Sequence, residues 1–504
     1  MSDVQKLLRC LALLMVALGA VRSEAAEGPA DAGAPDASSA ADASVEIRAD
    51  RPDASIPARA NTPAPPAEST SFPLLAEAPG AGDRLRERLQ ALKHKRGADS
   101  QPLRVVQIGD SHTEAGFFSR ELSRLLASGR PVSPGFLWPD MVAPGDVTVV
   151  TLGRRRDWRE DSWLEPQAQG PFGPRGVAFA AVRPGALLEL RASTPLPAGT
   201  RLTVFYAPLP NHRPAELRAG TKVLARFVPP KEPPVSPLGQ VEVTWPSRAT
   251  TLQLAVDGGT DPGEFRLYGF SVERPDAVLS YDALGVRGTT SDHPVKRDDG
   301  ALLEFLRQRP PDVLVVWFGT NSAVWKPFPP DVFRQSFTTL VEKLRGVVPD
   351  ASLVVIGPPD LQKRPEGCGA WAFKKRRRLY PREREALKVF ACDPENSVIQ
   401  RPGKPPRYSA EGVNTEAQWR TWLATCAFAS FPSVEQVTAI EREVALSAGG
   451  LFFDTYAFMG GGGAMHRWVC EQPQLGEFDH IHLTPEGHAK LAGALWDAIR
   501  TGSR

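Results

Sequence analysis

A hydroxyl, a carboxylate and an imidazole suffice to break an ester, and this 504-residue sequence offers one candidate for each. Ser111 follows Gly109-Asp110 at the end of a short apolar run, and Asp479-His480-Ile481-His482 lies near the other end of the chain. A serine hydroxyl is a poor nucleophile until a neighbouring base takes its proton. The usual base is an imidazole held by a carboxylate. The three-residue offset favours His482 over His480 as the ring that Asp479 holds. A tetrahedral oxyanion then needs donors, and the candidates are the Ser111 N–H, the Gly288 N–H and the Asn321 amide. Singly, each signal is ordinary: Ser111 would also suit a helix cap or a phosphate-binding turn, and Asp-x-x-His recurs by chance. Together, in this order and each at the end of a predicted strand, they point to acyl transfer through a serine.

Such residues need elements to bring them to one place. Leu103 to Ile108 is apolar and β-branched, too short for a helix, and reads as a buried strand. Gly109-Asp110-Ser111 turns the chain, and Thr113 to Leu126 has apolar residues at helical spacing. A parallel α/β sheet places its chemistry at the C-terminal ends of its strands. The pattern resumes with a strand from Val278 to Leu284 and the turn Gly285-Val286-Arg287-Gly288. Next come helix Gly300 to Gln308 and strand Asp312 to Phe318, which ends in Gly319-Thr320-Asn321. Helix Asp331 to Leu344, strand Ser352 to Gly357, helix Val434 to Leu446 and strand Leu451 to Asp454 follow. A last helix begins after Thr484, with Thr484 as its N-cap and Pro485 in its first turn. A short amphipathic helix, Asp83 to Lys95, precedes the first strand.

Between about Thr148 and Val272 the character changes. Seven short alternating segments (Val177 to Val182, Ala186 to Ala192, Arg201 to Ala207, Lys222 to Val228, Gln240 to Trp245, Thr251 to Val256 and Glu264 to Val272) are separated by turns such as Pro197-Ala198-Gly199. Evenly spaced strands without helices predict a β-sandwich inserted into the α/β domain.

Met1 to Ala25 has a basic start, an apolar core from Leu11 to Val21 and small residues near Ala25, as in a secretory signal peptide. The apolar run is too short to span a bilayer stably. The expected organisation is a signal peptide at residues 1–25, a linker at 26–70 and an α/β domain in two stretches, 71–147 and 276–504, with the inserted sandwich at 148–275 between them. The linker is rich in Ala, Pro, Asp and Ser and has too little apolar surface to offset the entropy of ordering it. Sixty basic and 58 acidic residues give a net charge of +2, which offers no global attraction to nucleic acid. Cys10 falls within the signal segment. Cys368, Cys392, Cys426 and Cys470 remain, an even number in an oxidising compartment, which suggests two disulfides with three possible pairings. The sequence has no C-x-x-C pair of the kind that holds zinc. A long excursion, Gln362 to Phe431, carries the densest basic run, Lys374-Lys375-Arg376-Arg377-Arg378 with Arg382 and Arg384. It reads as a solvated helix face or, more sharply, as a contact for an anionic glycan or lipid headgroup.

On Ile108 to Ser111, Gly285 to Gly288, Gly319 to Asn321 and Asp479 to His482, the sequence resembles the SGNH, or GDSL-like, hydrolases. Gly109 to Thr113 and the segment Phe453 to Gly461 resemble the periplasmic peptidoglycan O-acetylesterases among them. That resemblance implies a flavodoxin-like α/β parallel-sheet fold with an inserted carbohydrate-binding-module-like β-domain. Its implied chemistry is removal of O-acetyl groups from peptidoglycan or a related envelope glycan, by Ser111, His482 and Asp479, without metal or cofactor. The implied protein acts in the periplasm, is not integral to the membrane after signal cleavage, and has no nucleic-acid partner. The sequence departs from the family pattern at His112 (usually Leu), Arg287 (often Asn) and Ser322 (often Asp or Glu). Two other readings remain open: an O-acetyltransferase with the same triad, or a glycan-binding protein with a vestigial site.

Overall fold

A computed structural model of the chain describes residues 73–502, less 95–100, 140–148, 154, 169, 233, 260–262, 298, 366–367, 369–388, 394–397, 402–403, 409 and 411. These residues belong to one compact unit, Thr70–Arg504. The expected signal peptide, the whole of the expected linker and the basic run at 374–384 lie outside the described residues.

Seven strands form the central sheet: β1 Leu75–Glu77, β2 Leu103–Gly109, β3 Val132–Ser133, β4 Leu279–Gly285, β5 Val313–Trp317, β6 Ser352–Ile356 and β7 Leu451–Phe453, in the order β1-β7-β6-β5-β2-β4-β3. All neighbours are parallel except β1, which runs antiparallel to β7 at the edge. Side chains alternate between the two faces with the strand period of two. Val105, Val315 and Val354 pack with helices α1 (Ala81–His94), α2 (Phe117–Ala127) and α6 (Pro485–Thr501). Val106, Ile108, Val316 and Val355 pack with α3 (Gly300–Gln308), α4 (Pro330–Val347) and α5 (Ser433–Ser447). Burial on both faces is why these strands are near-continuous apolar runs. The chain is thus an α/β protein with a mostly parallel sheet and β-rich segments inserted in it.

Register aligns the chemistry. Gly109 pairs with Gly285 on one side and Trp317 on the other, so β2, β4 and β5 end at one level. The turns carrying Ser111, Gly288 and Asn321 therefore leave the sheet side by side. Two of these ends need glycine because backbone passes close by. A Cβ on Gly109 would lie 2.3 Å from the Trp317 carbonyl, and one on Gly285 would lie 2.2 Å from the Glu114 nitrogen.

The helix expected at Thr113 to Leu126 is broken. Ser111–Glu114 forms one turn, Gly116 takes φ 72°, and α2 starts afresh at Phe117. The left-handed Gly116 redirects the chain, so the nucleophile's turn and the helix that buries Phe118, Leu122 and Leu126 are oriented separately.

The inserted strands form two antiparallel sheets. The first orders Lys222–Phe227, Ala215–Ala219, Thr251–Val256, Leu187–Ala192 and Val149–Gly153. The second orders Gly239–Thr244, Arg201–Tyr206, Arg266–Glu273, Val177–Ala181 and Trp158–Ser162, with Gly135–Leu137 also paired to Arg266–Glu273. Gly135–Leu137 lies upstream of residue 148, where the sequence pattern changes. Phe136 packs edge-on against Phe305 of α3, and so does Phe205, so the sandwich and the α/β layers share one continuous core. Two disulfides cross-link the excursion: Cys368–Cys426 closes it on itself, and Cys392–Cys470 ties it to the helix Ala464–Cys470.

Candidate active site

Ser111 and His482, 371 positions apart, meet at the C-terminal edge of the sheet, with Ser111 Oγ 3.0 Å from His482 Nε2. His482 Nδ1 lies 2.6 Å from Asp479 Oδ2. The other carboxylate oxygen, Asp479 Oδ1, accepts the backbone N–H groups of Ile481 and His482, each at 2.9 Å. This three-residue turn fixes the carboxylate against its own histidine. Thr484 then caps α6 by accepting from the Gly487 N–H, so the turn ends in a rigid helix start.

The charges follow from the contacts. Partial burial opposes ionisation of Asp479, but the hydrogen bond with His482 and the two backbone donors outweigh it and hold its carboxyl at about 2. The same hydrogen bond raises the His482 imidazole above its ordinary value, against the opposing effect of burial. Asp110 and Glu477 add to the rise. A ring poised to accept a proton from Ser111 and stabilised once it has done so is the chemistry required of a general base.

The oxyanion side has three donors near one another. Ser111 opens a helical turn capped by Asp110, whose Oδ1 accepts the His112 N–H at 3.0 Å. Gly288 has φ 79°. Asn321 Nδ2 donates to the Thr289 carbonyl at 2.9 Å and stands 3.4 Å from Asp110 Oδ2. The first bond orients the amide, and its second N–H donates to Asp110 at the longer distance, a bond the amide would exchange for one to an incoming oxyanion. Among the candidate donors and the triad, the structure brings every sequence-predicted site residue to this edge.

His480 is not the base. It is fully buried, its Nε2 lies 3.1 Å from His466 Nδ1, and its Nδ1 lies 3.1 Å from the Phe478 carbonyl.

Other residues here carry no role in the sequence alone, where His112 and Arg287 stand only as departures from the family pattern. His112 is buried against Trp317, with ring centroids 5.2 Å apart, and its ring lies 5.5 Å from His482 and 5.8 Å from His488. It sets an aromatic side chain beside the His482 ring. Glu114 accepts the Arg287 backbone N–H at 2.9 Å and pairs with the side chains of Arg287 and Arg175. Arg175 comes from the inserted sandwich, donates to the Gly285 carbonyl at 3.2 Å, and lies 3.8 Å over the Trp138 ring. The sandwich thereby braces the turn that carries Gly288, and Arg287 acquires a partner that Asn would lack. Leu164, also from the sandwich, approaches Gly288, with its Cδ1 3.4 Å from where a Cβ there would stand. Glu441 on α5 is fully buried behind the site, 2.8 Å from the corresponding position on Gly319. Burial and the nearby Asp110 push its carboxyl well above the usual range, favouring the protonated form. In sequence, Glu441 sits among Ile440, Arg442 and Glu443 and reads as a solvent-facing charge; only its helical position relative to Val437 and Val444 marks the buried face.

Among the described residues, no helix is long and apolar enough to cross a membrane. The GDSL-like lipase/acylhydrolase family model matches residues 257–414, a span that includes Gly288 and Asn321 but neither Ser111 nor the Asp479–His482 turn. None of the curated proteins matches by sequence. A peptidoglycan O-acetylesterase structure superposes with a TM-score of 0.58 at 18% identity, covering 85% of this chain and 100% of that one. A GDSL-like lipase from Bacteroides thetaiotaomicron is 14% identical over 44% of this chain and 76% of its own, at a TM-score of 0.23, too slight a likeness to carry an argument. Over residues 257–414 the chain matches the GDSL-like lipase/acylhydrolase family model, and its fold is that of the peptidoglycan O-acetylesterase structure.

Proposed function

We propose that the protein is a secreted serine esterase that removes O-acetyl groups from peptidoglycan or a related envelope polysaccharide. The carrying observation is the unbroken relay from Ser111 Oγ through His482 to Asp479, at 3.0 and 2.6 Å. Ser111 attacks the acetyl carbonyl as His482 Nε2 takes its proton. Asp479 holds the ring in the tautomer with the proton on Nδ1 and stabilises the imidazolium. The Ser111 and Gly288 N–H groups and the Asn321 amide receive the oxyanion. The tetrahedral species collapses as His482 returns the proton to the departing sugar oxygen, leaving acetyl-Ser111. Water, deprotonated by His482, attacks that ester and releases acetate and free serine.

The fold shared with a peptidoglycan O-acetylesterase supports an envelope glycan as substrate. The two disulfides and the N-terminal sequence of basic, apolar and small residues support an oxidising compartment outside the cytoplasm, the periplasm. Acetate release from O-acetylated and chemically de-acetylated cell wall, with Ser111→Ala beside the wild type, tests the proposal. Ser111-dependent release from the acetylated wall alone is the expected result. Equal release by both proteins, or turnover of small esters with none of the wall, defeats the corresponding claim. Supplying a chitooligosaccharide acceptor in the same assay shows whether acetyl passes to sugar instead of water.

A further inference from the structure

The turn that delivers His482 is built on a strained residue. His480 takes φ 59°, in the left-handed region that a bulky side chain normally avoids. Something must hold it there, and the contacts come from the excursion. The Phe428 ring stacks on the His480 ring with centroids 3.4 Å apart and planes inclined by 15°. The guanidinium of Arg364 lies 4.1 Å from the same Phe428 ring, making a column of cation, phenyl and imidazole. Arg364 donates to the Cys426 carbonyl at 2.5 Å and also contacts the Trp422 ring at 4.7 Å. Below the column, the Gln362 N–H donates to the His480 carbonyl at 3.0 Å, and His466 Nδ1 meets His480 Nε2 at 3.1 Å. Both cross-links converge here: Cys368–Cys426 lies two residues from Phe428, and Cys392–Cys470 anchors the helix that carries His466.

We infer that the described ends of the excursion, Gln362 to Arg364 and Trp422 to Phe428, clamp the catalytic turn, with Phe428 and His480 as positioning residues whose stacked rings hold His482 at its distance from Ser111. The inference rests on the proposal that His482 is the base. In this role neither ring need contact the substrate. Their effect is on the placement of an imidazole two residues away, and misplacing a catalytic group by about 1 Å can cost about a hundredfold in rate.

The test compares wild type, Ser111→Ala, Phe428→Leu, Phe428→Tyr and His480→Gly on 4-nitrophenyl acetate, with circular dichroism to confirm folding. Phe428→Leu should lower kcat by about ten- to a hundredfold while KM stays within about threefold, because the substrate contacts are intact. Phe428→Tyr keeps the aromatic face and should return kcat to within about threefold of wild type. His480→Gly tolerates the left-handed backbone yet lacks the ring, so it should lose kcat as Phe428→Leu does. It carries the test if Phe428→Leu does not fold. Wild-type kcat in Phe428→Leu or in His480→Gly overturns the clamp, as does a folded Phe428→Tyr no better than Phe428→Leu. A wild-type protein whose turnover survives Ser111→Ala overturns the underlying esterase reading and the clamp with it. Ser111-dependent turnover with insensitive clamp variants overturns the clamp alone.

Discussion

Replacing Asp479 by Asn separates what the carboxylate does by charge from what it does by shape. Its Oδ1 accepts two backbone N–H groups at 2.9 Å, and an amide oxygen can do the same, so the turn should persist. What changes is the 2.6 Å contact to His482 Nδ1, where an anionic acceptor gives way to an NH2 group. The imidazole then presents a proton where it should present a lone pair to Ser111. In a fully enclosed triad that change costs about ten-thousandfold in kcat. Here the side chains of His482 and Asp479 are 43% and 48% exposed, so solvent screens the charge. A loss of about a hundred- to a thousandfold, or about 2.7–4 kcal/mol at about 1.36 kcal/mol per decade, is the expected effect. The assay is ester hydrolysis between about pH 5 and pH 9, where the acid limb of kcat/KM reports the free enzyme's base. Activity requires neutral His482, whose pKa Asp479 raises, so the rate falls as pH drops through that raised value. Without the carboxylate, the limb should move to lower pH. A folded Asp479→Asn enzyme within about threefold of wild type, with an unmoved acid limb, would refute the triad reasoning.

Asn321→Ala removes the side-chain oxyanion donor, and kcat should fall by about a hundred- to a thousandfold with little change in KM, measured on the same ester. Burial raises the Glu441 carboxyl well above that of its unfolded counterpart, so its contribution to stability is greatest below the unfolded carboxyl pKa and falls as pH rises toward the raised folded value. Glu441→Gln should remove that slope of about 1.4 kcal/mol per pH unit, so its melting temperature gains on wild type as pH rises above the unfolded carboxyl pKa. Leu164→Ala opens space beside Gly288, and butyryl esters should gain about tenfold in kcat/KM relative to acetyl esters, from roughly 0.8 kcal/mol for each additional buried methylene. An unchanged acyl preference would place the acyl pocket elsewhere.

Much of the sheet is legible because β2, β4, β5 and β6 are buried on both faces, which leaves apolar runs that no helix pattern mimics. The convergence of Ser111, Gly288 and Asn321 follows from strand ends in register, and Asp479-x-x-His482 follows from a single turn. Other features have no local signature. Gly135–Leu137 is three residues long and is a strand only because Arg266–Glu273 lies beside it. Ala215–Ala219 alternates with charged Glu216 and Arg218, which pair with each other on the exposed face. Gly116 reads as a tolerated helix glycine until its positive φ is seen. The pairing of four cysteines is set by how the excursion packs, which spacing alone does not encode.

The central claim is that an acetyl group passes through the oxygen of Ser111. Rapid acid quenching of the enzyme during turnover of an acetyl ester, followed by peptide mass mapping, reads this directly. The account predicts an acetylated peptide spanning Ser111 that is absent from Ser111→Ala and decays as substrate is exhausted. Steady ester turnover with Ser111 unmodified at every quench time, and undiminished in Ser111→Ala, would contradict it.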